Sequence, residues 1–456
     1  MMTSKQFLSL TVAFLGALTA VKAQDTVTMN LKDCMRYAVE HSTKMRIQEA
    51  NNRDAQIDRR DAILQAFTPS VDGSTYAYYN FGRSIDPETN IYTLTTSFHN
   101  GYSISAGITL FNGFQAVNNL KITKTAQLMG KSQTQQLEDQ ICLATMEAYC
   151  NVLYYTDLLK AVQAQVKTAE TSLQLATRRE ELGQLGHAEV VQIQADLADR
   201  QYQLTTCQNH LNDALITLKD VLFWPVEEPL KIEDLKPEGD LLALSAESDV
   251  NALVSFAKAN QPSVFLAEST MKNAQLNLKT ARWQLLPRLS LYGGWSSSYF
   301  TYPGMDGYVP TPYWEQISHN RGEYVQLSLN IPIFDRLSAH SNIAKRKNAY
   351  ERAKADYDQA LKSVEAEVKR AVADRDGAAM AMQQAQTRAE AQNEAFALNG
   401  RRFEQGLISS IEYQTAANNY LNAVAEGLNA RLQYFIRNCV VQYYKGVSYL
   451  EQDFNH

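Results

Sequence analysis

Residues 37–62 of the chain read YAVEHSTKMRIQEANNRDAQIDRRDA, and residues 256–281 read FAKANQPSVFLAESTMKNAQLNLKTA. The two stretches align without a gap, and Ala55-Gln56-Ile57 lies over Ala274-Gln275-Leu276. Self-similarity of this kind is the sequence signature of a duplicated structural unit. The fold is therefore predicted to contain two copies of one unit, each about half of the mature chain.

Both copies show the same order of secondary-structure signals. A first helix is predicted from Leu31 to Ala66 and again from Val250 to Leu285, and a proline follows each one and prevents its continuation. A pair of strands comes next, then a very long helix, a short turn with glycine and another helix. The predicted bounds of these later helices are Ala116 to Leu182 and Glu189 to Leu222 in the first copy, and Ser338 to Glu404 and Glu412 to Tyr444 in the second.

The N-terminal residues predict export from the cytoplasm. Lys5 precedes an apolar stretch from Phe7 to Ala20, and small residues before Gln24 suit cleavage after Ala23. The predicted segments are a signal peptide at 1–23, a first repeat at 24–224 with a β-hairpin at 70–112, a linker at 225–249, a second repeat at 250–444 with a β-hairpin at 288–334, and a C-terminal tail at 445–456.

The second strand of each pair alternates between apolar and small polar residues. A period of two places each set on its own face of a sheet, which suits a β-barrel with lipid outside and water inside. The apolar sets are Tyr102, Ile104, Ala106, Ile108 and Leu110, and Val325, Leu327, Leu329 and Ile331. The first strands add aromatic residues that suit the girdles at a membrane interface. These are Tyr76, Tyr78, Tyr79, Tyr292, Trp295 and Tyr299.

The long helices carry a narrow apolar seam with coiled-coil spacing. In the first copy the seam runs through Leu137, Ile141, Ala144 and Ala148, and the following helix repeats leucine every seven residues from Leu197 to Leu218. A seam this narrow packs helix against helix. A helix of about 65 residues is about 100 Å long, which is far more than a globular domain requires.

Composition and motifs exclude several classes of function. A formal charge of -6 gives no sign of a nucleic-acid partner, and the five cysteines and seven histidines show no metal-ligand spacing and no disulfide framework. No Ser/His/Asp order and no glycine-rich phosphate loop is present in the sequence. The chain is therefore predicted not to be an enzyme, with no catalytic residue, no metal and no cofactor.

Four membrane strands are too few to enclose a lumen, although a membrane sheet must close on itself. Several chains must therefore contribute to one barrel. Three chains would supply about twelve strands, enough for a water-filled pore.

The chain resembles the TolC-type outer-membrane efflux family. The resemblance rests on the duplication, the helix-ending Pro69 and Pro287, the strand exits Leu110-Phe111-Asn112-Gly113 and Ile333-Phe334-Asp335, and the motif RFEQGLISSIE at residues 402–412. It implies a mainly α fold with a membrane β-barrel portion. Each protomer would supply part of a long α-helical coiled-coil barrel and four β-strands of a shared 12-stranded barrel.

The resemblance also implies partners and a location. The homotrimer would lie in the outer-membrane lipid of a diderm bacterium and extend into the periplasm. There it would meet a periplasmic adaptor protein and an inner-membrane pump, and it would serve as the exit duct of a tripartite efflux system for small molecules.

The same resemblance places the periplasmic aperture and the adaptor-docking site at the two helical turns. The residues concerned are Gly183, Glu189, Phe403, Gly406 and Glu412. Both glycines follow a long helix, where a positive φ is expected. Phe403 stands where the family has a tyrosine in many members, so its hydroxyl link is missing, and Thr415 stands where a second acid would complete a double ring.

Glu412 has two interpretations. At its matching position the family has acidic residues that ring the closed aperture, with Glu189 as the counterpart in the first copy. Three such carboxylates would repel each other, and bound cations could relieve that repulsion. Alternatively, Glu412 only favours the first turn of its helix through the helix dipole.

Two other functions agree with this sequence and stay open. The outlet of a type I protein-secretion system has the same architecture. A non-conducting periplasmic coiled-coil structural tether would need the long helices without a channel.

Overall fold

The computed structural model describes residues 27–85, 90–94, 96–235 and 249–454. The predicted signal peptide lies outside these residues, as do Asp86 and Pro87 of the first hairpin loop. The helices are α1 Leu31–His41, α2 Thr43–Phe67, α3 Gln115–Glu181, α4 His187–Leu222, α5 Val250–Asn260, α6 Pro262–Trp283, α7 Tyr313–His319, α8 Ser338–Glu404 and α9 Ser410–Tyr444. The strands are β1 Val27–Met29, β2 Ser70–Asn80, β3 Arg83–Ile85, β4 Tyr92–Leu94, β5 Ser97–Asn112, β6 Leu230–Ile232, β7 Arg288–Thr301 and β8 Gly322–Asn330.

The chain divides into two compact units. One unit holds residues 1–47, 134–261 and 362–456, and the only strands among its described residues are β1 and β6. The other holds residues 48–133 and 262–361, and it contains the remaining strands. Among the helices of the described ranges, none combines the length and the apolar composition needed to cross a lipid bilayer.

The prediction of a single helix at the start of each repeat is wrong. Ser42 separates α1 from α2 with an extended ψ of 125°, and Gln261 separates α5 from α6 with a ψ of 131°. Pro262 explains the second break, because a proline disfavours the helical conformation of the residue before it. At the first break the Ser42 hydroxyl accepts a hydrogen bond from the backbone N–H of Met45 at 3.4 Å, as an N-cap does. The two breaks occupy matching positions of the repeat alignment.

The long helices agree closely with their predicted bounds. α3 and α8 have 67 residues each, which corresponds to about 100 Å of helix. α9 begins at Ser410, two residues before its predicted start at Glu412. Ser409 caps it, because its hydroxyl accepts a hydrogen bond from the Glu412 N–H at 3.3 Å.

The four long strands form an antiparallel sheet in the order β2-β5-β7-β8. Directly opposite residues share a face, and the register pairs Ile104 with Trp295, Leu291 with Leu327 and Leu289 with Leu329. The predicted apolar face is therefore continuous across the strands. We call it the apolar face, and the opposite side the polar face. The outer sides of β2 and β8 have no strand partner within the described ranges.

The predicted aromatic girdle divides between the two faces. Tyr79, Trp295 and Tyr299 lie on the apolar face, whereas Tyr76, Tyr78 and Tyr292 lie on the polar face, as the register of opposite residues shows. The prediction for the second group is corrected, because strand alternation sends neighbouring tyrosines to opposite sides.

The loops contain structure that the sequence did not predict. β3 pairs with β4 in the first hairpin loop, and α7 forms in the second. α7 contacts the apolar face at the end of the sheet where the hairpin loops lie. There the Tyr313 hydroxyl lies 2.7 Å from the Tyr102 hydroxyl. The Ser297 hydroxyl donates a hydrogen bond to the Ile317 carbonyl oxygen at 2.6 Å. These contacts fix α7 against β5 and β7.

The described part of the predicted linker packs on the helices. β6 pairs in parallel with β1, and the buried Tyr149 of α3 donates a hydrogen bond to the Glu233 carbonyl oxygen at 2.5 Å. Residues 236–248 of the linker lie outside the described residues. The C-terminal tail also packs on the helices, because Gln452 is buried and donates to the Cys439 carbonyl oxygen at 3.0 Å.

The core of the helical unit contains four of the five cysteines. Cys34, Cys142, Cys150 and Cys439 lie there with large apolar side chains, and Cys207 is buried elsewhere in the same unit. All five are free. Burial raises the pKa of the Cys34, Cys142 and Cys439 thiols to about 12. They therefore remain neutral and serve as small apolar residues.

Removing one hydroxyl should measurably weaken this unit. Tyr149→Phe leaves the Glu233 carbonyl oxygen without its tyrosine donor, and we expect it to lower the free energy of unfolding by about 1 to 3 kcal/mol. Urea unfolding followed by circular dichroism measures the change. Tyr202→Phe is the control, since Tyr202 is 74% exposed. Equal unfolding midpoints for the two variants would show that the hydrogen bond from Tyr149 to the Glu233 carbonyl oxygen does not stabilise this unit.

Candidate functional site at the two helical turns

Gly183 ends α3 in the left-handed conformation that the sequence predicts, with a φ of +69°. The Gly183 N–H donates to the Glu180 carbonyl oxygen at 2.8 Å, and the Gln184 N–H donates to the Arg179 carbonyl oxygen at 2.8 Å. This pair of bonds is a Schellman motif, which uses the free carbonyl groups of the last helical turn.

Gly406 repeats the same geometry at the end of α8. Its φ is +74°, its N–H donates to the Phe403 carbonyl oxygen at 2.9 Å, and the Leu407 N–H donates to the Arg402 carbonyl oxygen at 2.8 Å. The two turns are therefore built alike. Each reverses the chain sharply enough for α4 and α9 to return along the long helices.

The two turns lie against each other within one chain. The Arg179 guanidinium donates a hydrogen bond to the carbonyl oxygen of Glu404. A cavity of about 210 Å³ lies between them, and Glu189, Phe403 and Gly406 line it. The structure thus brings three of the five predicted site residues together. Gly183 and Glu412 do not line this cavity.

Phe403 supports the second turn through packing. It contacts the buried cluster of Ala176, Val190 and Ile193. Its ring stacks on Tyr413 with the centroids 4.9 Å apart and the planes at 4°. Tyr413 in turn stacks on Phe396 at 5.5 Å. This stack joins the end of α8 to the start of α9.

Tyr413 is a residue that the sequence analysis missed. Burial raises the pKa of its hydroxyl, and the nearby Ser172 side chain of α3 opposes that shift. Phe403 lacks a hydroxyl, and Tyr413 provides one beside it. The start of α9 therefore lies beside α3 near the turns. The available signal was a tyrosine directly after Glu412, but its partner is far away in the sequence.

Arg200 is a second missed residue. Only 2% of its surface is exposed, and its Nε lies 3.3 Å from the Asp196 carboxylate on the same helix. Burial raises the pKa of Asp196, and the arginine opposes that shift. A buried ion pair is costly to break, since one charge would then stay buried alone. The pair lies close enough to Tyr413 to influence its pKa.

The two acidic residues of the site are exposed. Glu189 lies in the first turn of α4 and Glu412 in the first turn of α9, where the helix dipole favours negative charge. Among the described residues, the Glu412 carboxylate has no hydrogen-bond or ion-pair partner. Three large apolar side chains also face solvent around the turns, with exposed fractions of 60% for Leu182, 64% for Leu407 and 62% for Ile411. The turns thus present carboxylates beside exposed apolar groups.

A pair of glycine substitutions tests the turn geometry. Gly406→Ala places a Cβ in the left-handed region and should destabilise the chain by about 1 to 2 kcal/mol. Gly377→Ala, in the middle of α8 with open space around it, should instead stabilise the chain by about 0.5 to 1 kcal/mol. Denaturant midpoints measure both effects. Shifts of the same sign would show that Gly406 does not need its positive φ.

Known proteins show the same architecture. Similarity to the VceC outer membrane protein of Vibrio cholerae has a TM-score of 0.75 at 14% identity, covering 93% of this chain and 96% of that one. The CmeC channel of Campylobacter jejuni gives a TM-score of 0.75 at 17% identity, covering 93% of this chain and 87% of that one. At such low identity these matches establish the fold: long helices joined to a few strands.

Curated relatives agree with the structural matches. The chain is 24% identical to the outer membrane protein TolC of Escherichia coli over 69% of its own length, and the match covers 62% of TolC, less than two thirds. It is 23% identical to the pyoverdine export outer membrane protein OpmQ of Pseudomonas putida over 77% of this chain and 71% of that protein.

The family described as outer membrane efflux protein matches residues 38–222 and 253–438. The two regions correspond to the two copies of the repeat, so the predicted duplication is confirmed, as are the resemblance and the outer-membrane location. The family consists of channel proteins. With most of its length matched, the chain belongs to the outer membrane efflux protein family.

Proposed function

We propose that this channel protein works as a homotrimer and forms the exit duct of a tripartite efflux system. In this proposal the duct crosses the outer membrane, extends into the periplasm and receives small molecules from an inner-membrane pump through a periplasmic adaptor protein. TolC and OpmQ are named as outer-membrane proteins, and OpmQ as a pyoverdine exporter. These names support an export role here.

The proposal rests mainly on one observation, a four-stranded sheet that does not close on itself among the described residues. It has four strands, two open edges and a continuous apolar face on which Val325 is 83% exposed and Leu327 is 64% exposed. In lipid, unpaired backbone groups at a sheet edge are costly, so a membrane sheet has to close. Three copies joined edge to edge, β8 to the β2 of the next copy, would give twelve strands and a water-filled interior.

The helical turns would form the inner end of the duct. The exposed Leu182, Leu407 and Ile411 give an apolar surface to an adaptor, and such exposed groups mark interaction sites when they cluster. In a trimer, three copies of Glu412 would come close to one another around the axis. Their mutual repulsion would make the closed state sensitive to divalent cations.

Channel formation is tested in planar lipid bilayers. The purified protein should produce uniform single-channel steps, because a closed trimeric barrel has one defined pore. A preparation that inserts into lipid but never conducts would contradict the proposal and would favour a tether instead.

The gate is tested by Glu412→Ala in the same bilayers. We expect wild-type conductance to fall when Mg²⁺ is added on the side of the helical turns, and the variant to lose at least part of that block, since the carboxylates attract the cation. Glu394→Ala is the matched control, because it removes an exposed carboxylate from the body of α8. If Glu412→Ala keeps both the conductance and the Mg²⁺ block of the wild type, Glu412 only supports the start of α9.

A further inference from the structure

The polar face of the sheet carries small residues with four tyrosines among them, which are Tyr76, Tyr78, Tyr292 and Tyr324. On β5 this face presents Gly101, Ser103, Ser105, Gly107 and Thr109. The Ser74 hydroxyl of β2 lies 2.7 Å from the Ser103 hydroxyl across the strands. Since the opposite face is the apolar one, the polar face is the side that would line the water-filled interior.

Three of these tyrosines lie directly opposite a glycine of the neighbouring strand, whereas Tyr78 lies opposite His99. The register pairs Tyr76 with Gly101, Gly107 with Tyr292, and Gly294 with Tyr324. These are three different strand interfaces, β2 with β5, β5 with β7 and β7 with β8. One tyrosine and glycine pair therefore occurs at every strand interface of the sheet.

The tyrosine rings fill the space above the glycines. A Cβ added at Gly107 would lie 2.8 Å from Cδ1 of Tyr292, and one added at Gly294 would lie 2.7 Å from Cε1 of Tyr324. At Gly101 the added atom would collide with the ring of Tyr76. No side chain larger than hydrogen fits beneath these rings, so the glycines allow the rings to lie down on the sheet.

The other side of each ring remains open to solvent. The exposed fractions are 54% for Tyr76, 44% for Tyr292 and 47% for Tyr324, which fits a ring that covers a glycine with one side only. Aromatic rings placed over glycine in this way also hold the strand register. A tyrosine that could not lie down would have to project from the sheet instead.

We propose that the three tyrosine and glycine pairs set the free width of the duct through the outer membrane. The inference rests on the proposed channel, and it assigns a role to Gly101, Gly107 and Gly294 that no comparison gives them. By accepting the rings, these glycines keep nine tyrosines of a trimer against the wall. Solutes close to the size limit of the pore would then pass only while the rings lie flat.

The test compares single-channel conductance and the largest polyethylene glycol that enters the pore. Gly107→Ala should lower both, because its Cβ displaces the Tyr292 ring into the lumen. Gly73→Ala is the matched control: it lies on β2 on the apolar face, and an added Cβ there meets nothing within 4 Å. The control should conduct like the wild type.

Two further variants separate a narrowed pore from damaged assembly. Tyr292→Ala removes the ring and should raise the polymer size limit, and Gly107→Ala combined with Tyr292→Ala should restore conductance to at least the wild-type value. The inference is overturned if the wild type conducts but Gly107→Ala shows the same conductance and size limit. It is also overturned if the double variant stays as narrow as Gly107→Ala. A wild type that does not conduct at all would instead contradict the proposed channel, and this inference with it.

Discussion

The proposed channel architecture depends on one constraint, which is the unpaired hydrogen-bonding groups at the two free edges of the sheet. A β-sheet with an apolar face can enter lipid only if its edges are paired, because no water is present there to take the place of a partner strand. The chain supplies four strands in one sheet and leaves β2 and β8 as its edges. In the proposed channel, oligomerisation, a shared lumen and a polar inner face would all follow from closing those edges with further copies.

The duplication explains why the same arrangement of strands, long helix and glycine turn appears twice in each chain. Each copy supplies two strands of the four-stranded sheet, a helix of 67 residues and a turn closed by a left-handed glycine. The turns meet through Arg179 and the carbonyl oxygen of Glu404, and Tyr413 at the start of α9 lies close to Ser172 of α3. A small movement of α9 would therefore change the packing contacts at both turns. This coupling is what a gate at the inner end of a duct requires.

Features that depend on local pattern could be predicted from the sequence. Strand alternation placed Ile104 and Leu327 on one face, and helix length and turn chemistry placed Gly183 and Gly406 in the left-handed region. Features that depend on partners far away in the sequence could not be predicted from it. Ser42 breaks a helix without any proline, Tyr413 lies beside a serine of another helix, and Tyr292 lies opposite Gly107 only because of the register of β5. Such contacts arise from tertiary packing, which no local pattern records.

The mass of the complex extracted from the outer membrane shows directly whether several chains share one barrel. Native mass spectrometry of the protein, released from detergent or from lipid nanodiscs, counts the chains that close the sheet. A shared twelve-stranded barrel predicts three copies and no folded species with one copy. A stable monomer that keeps its strands in lipid would show that the edges of β2 and β8 are satisfied in another way, and it would contradict the shared barrel.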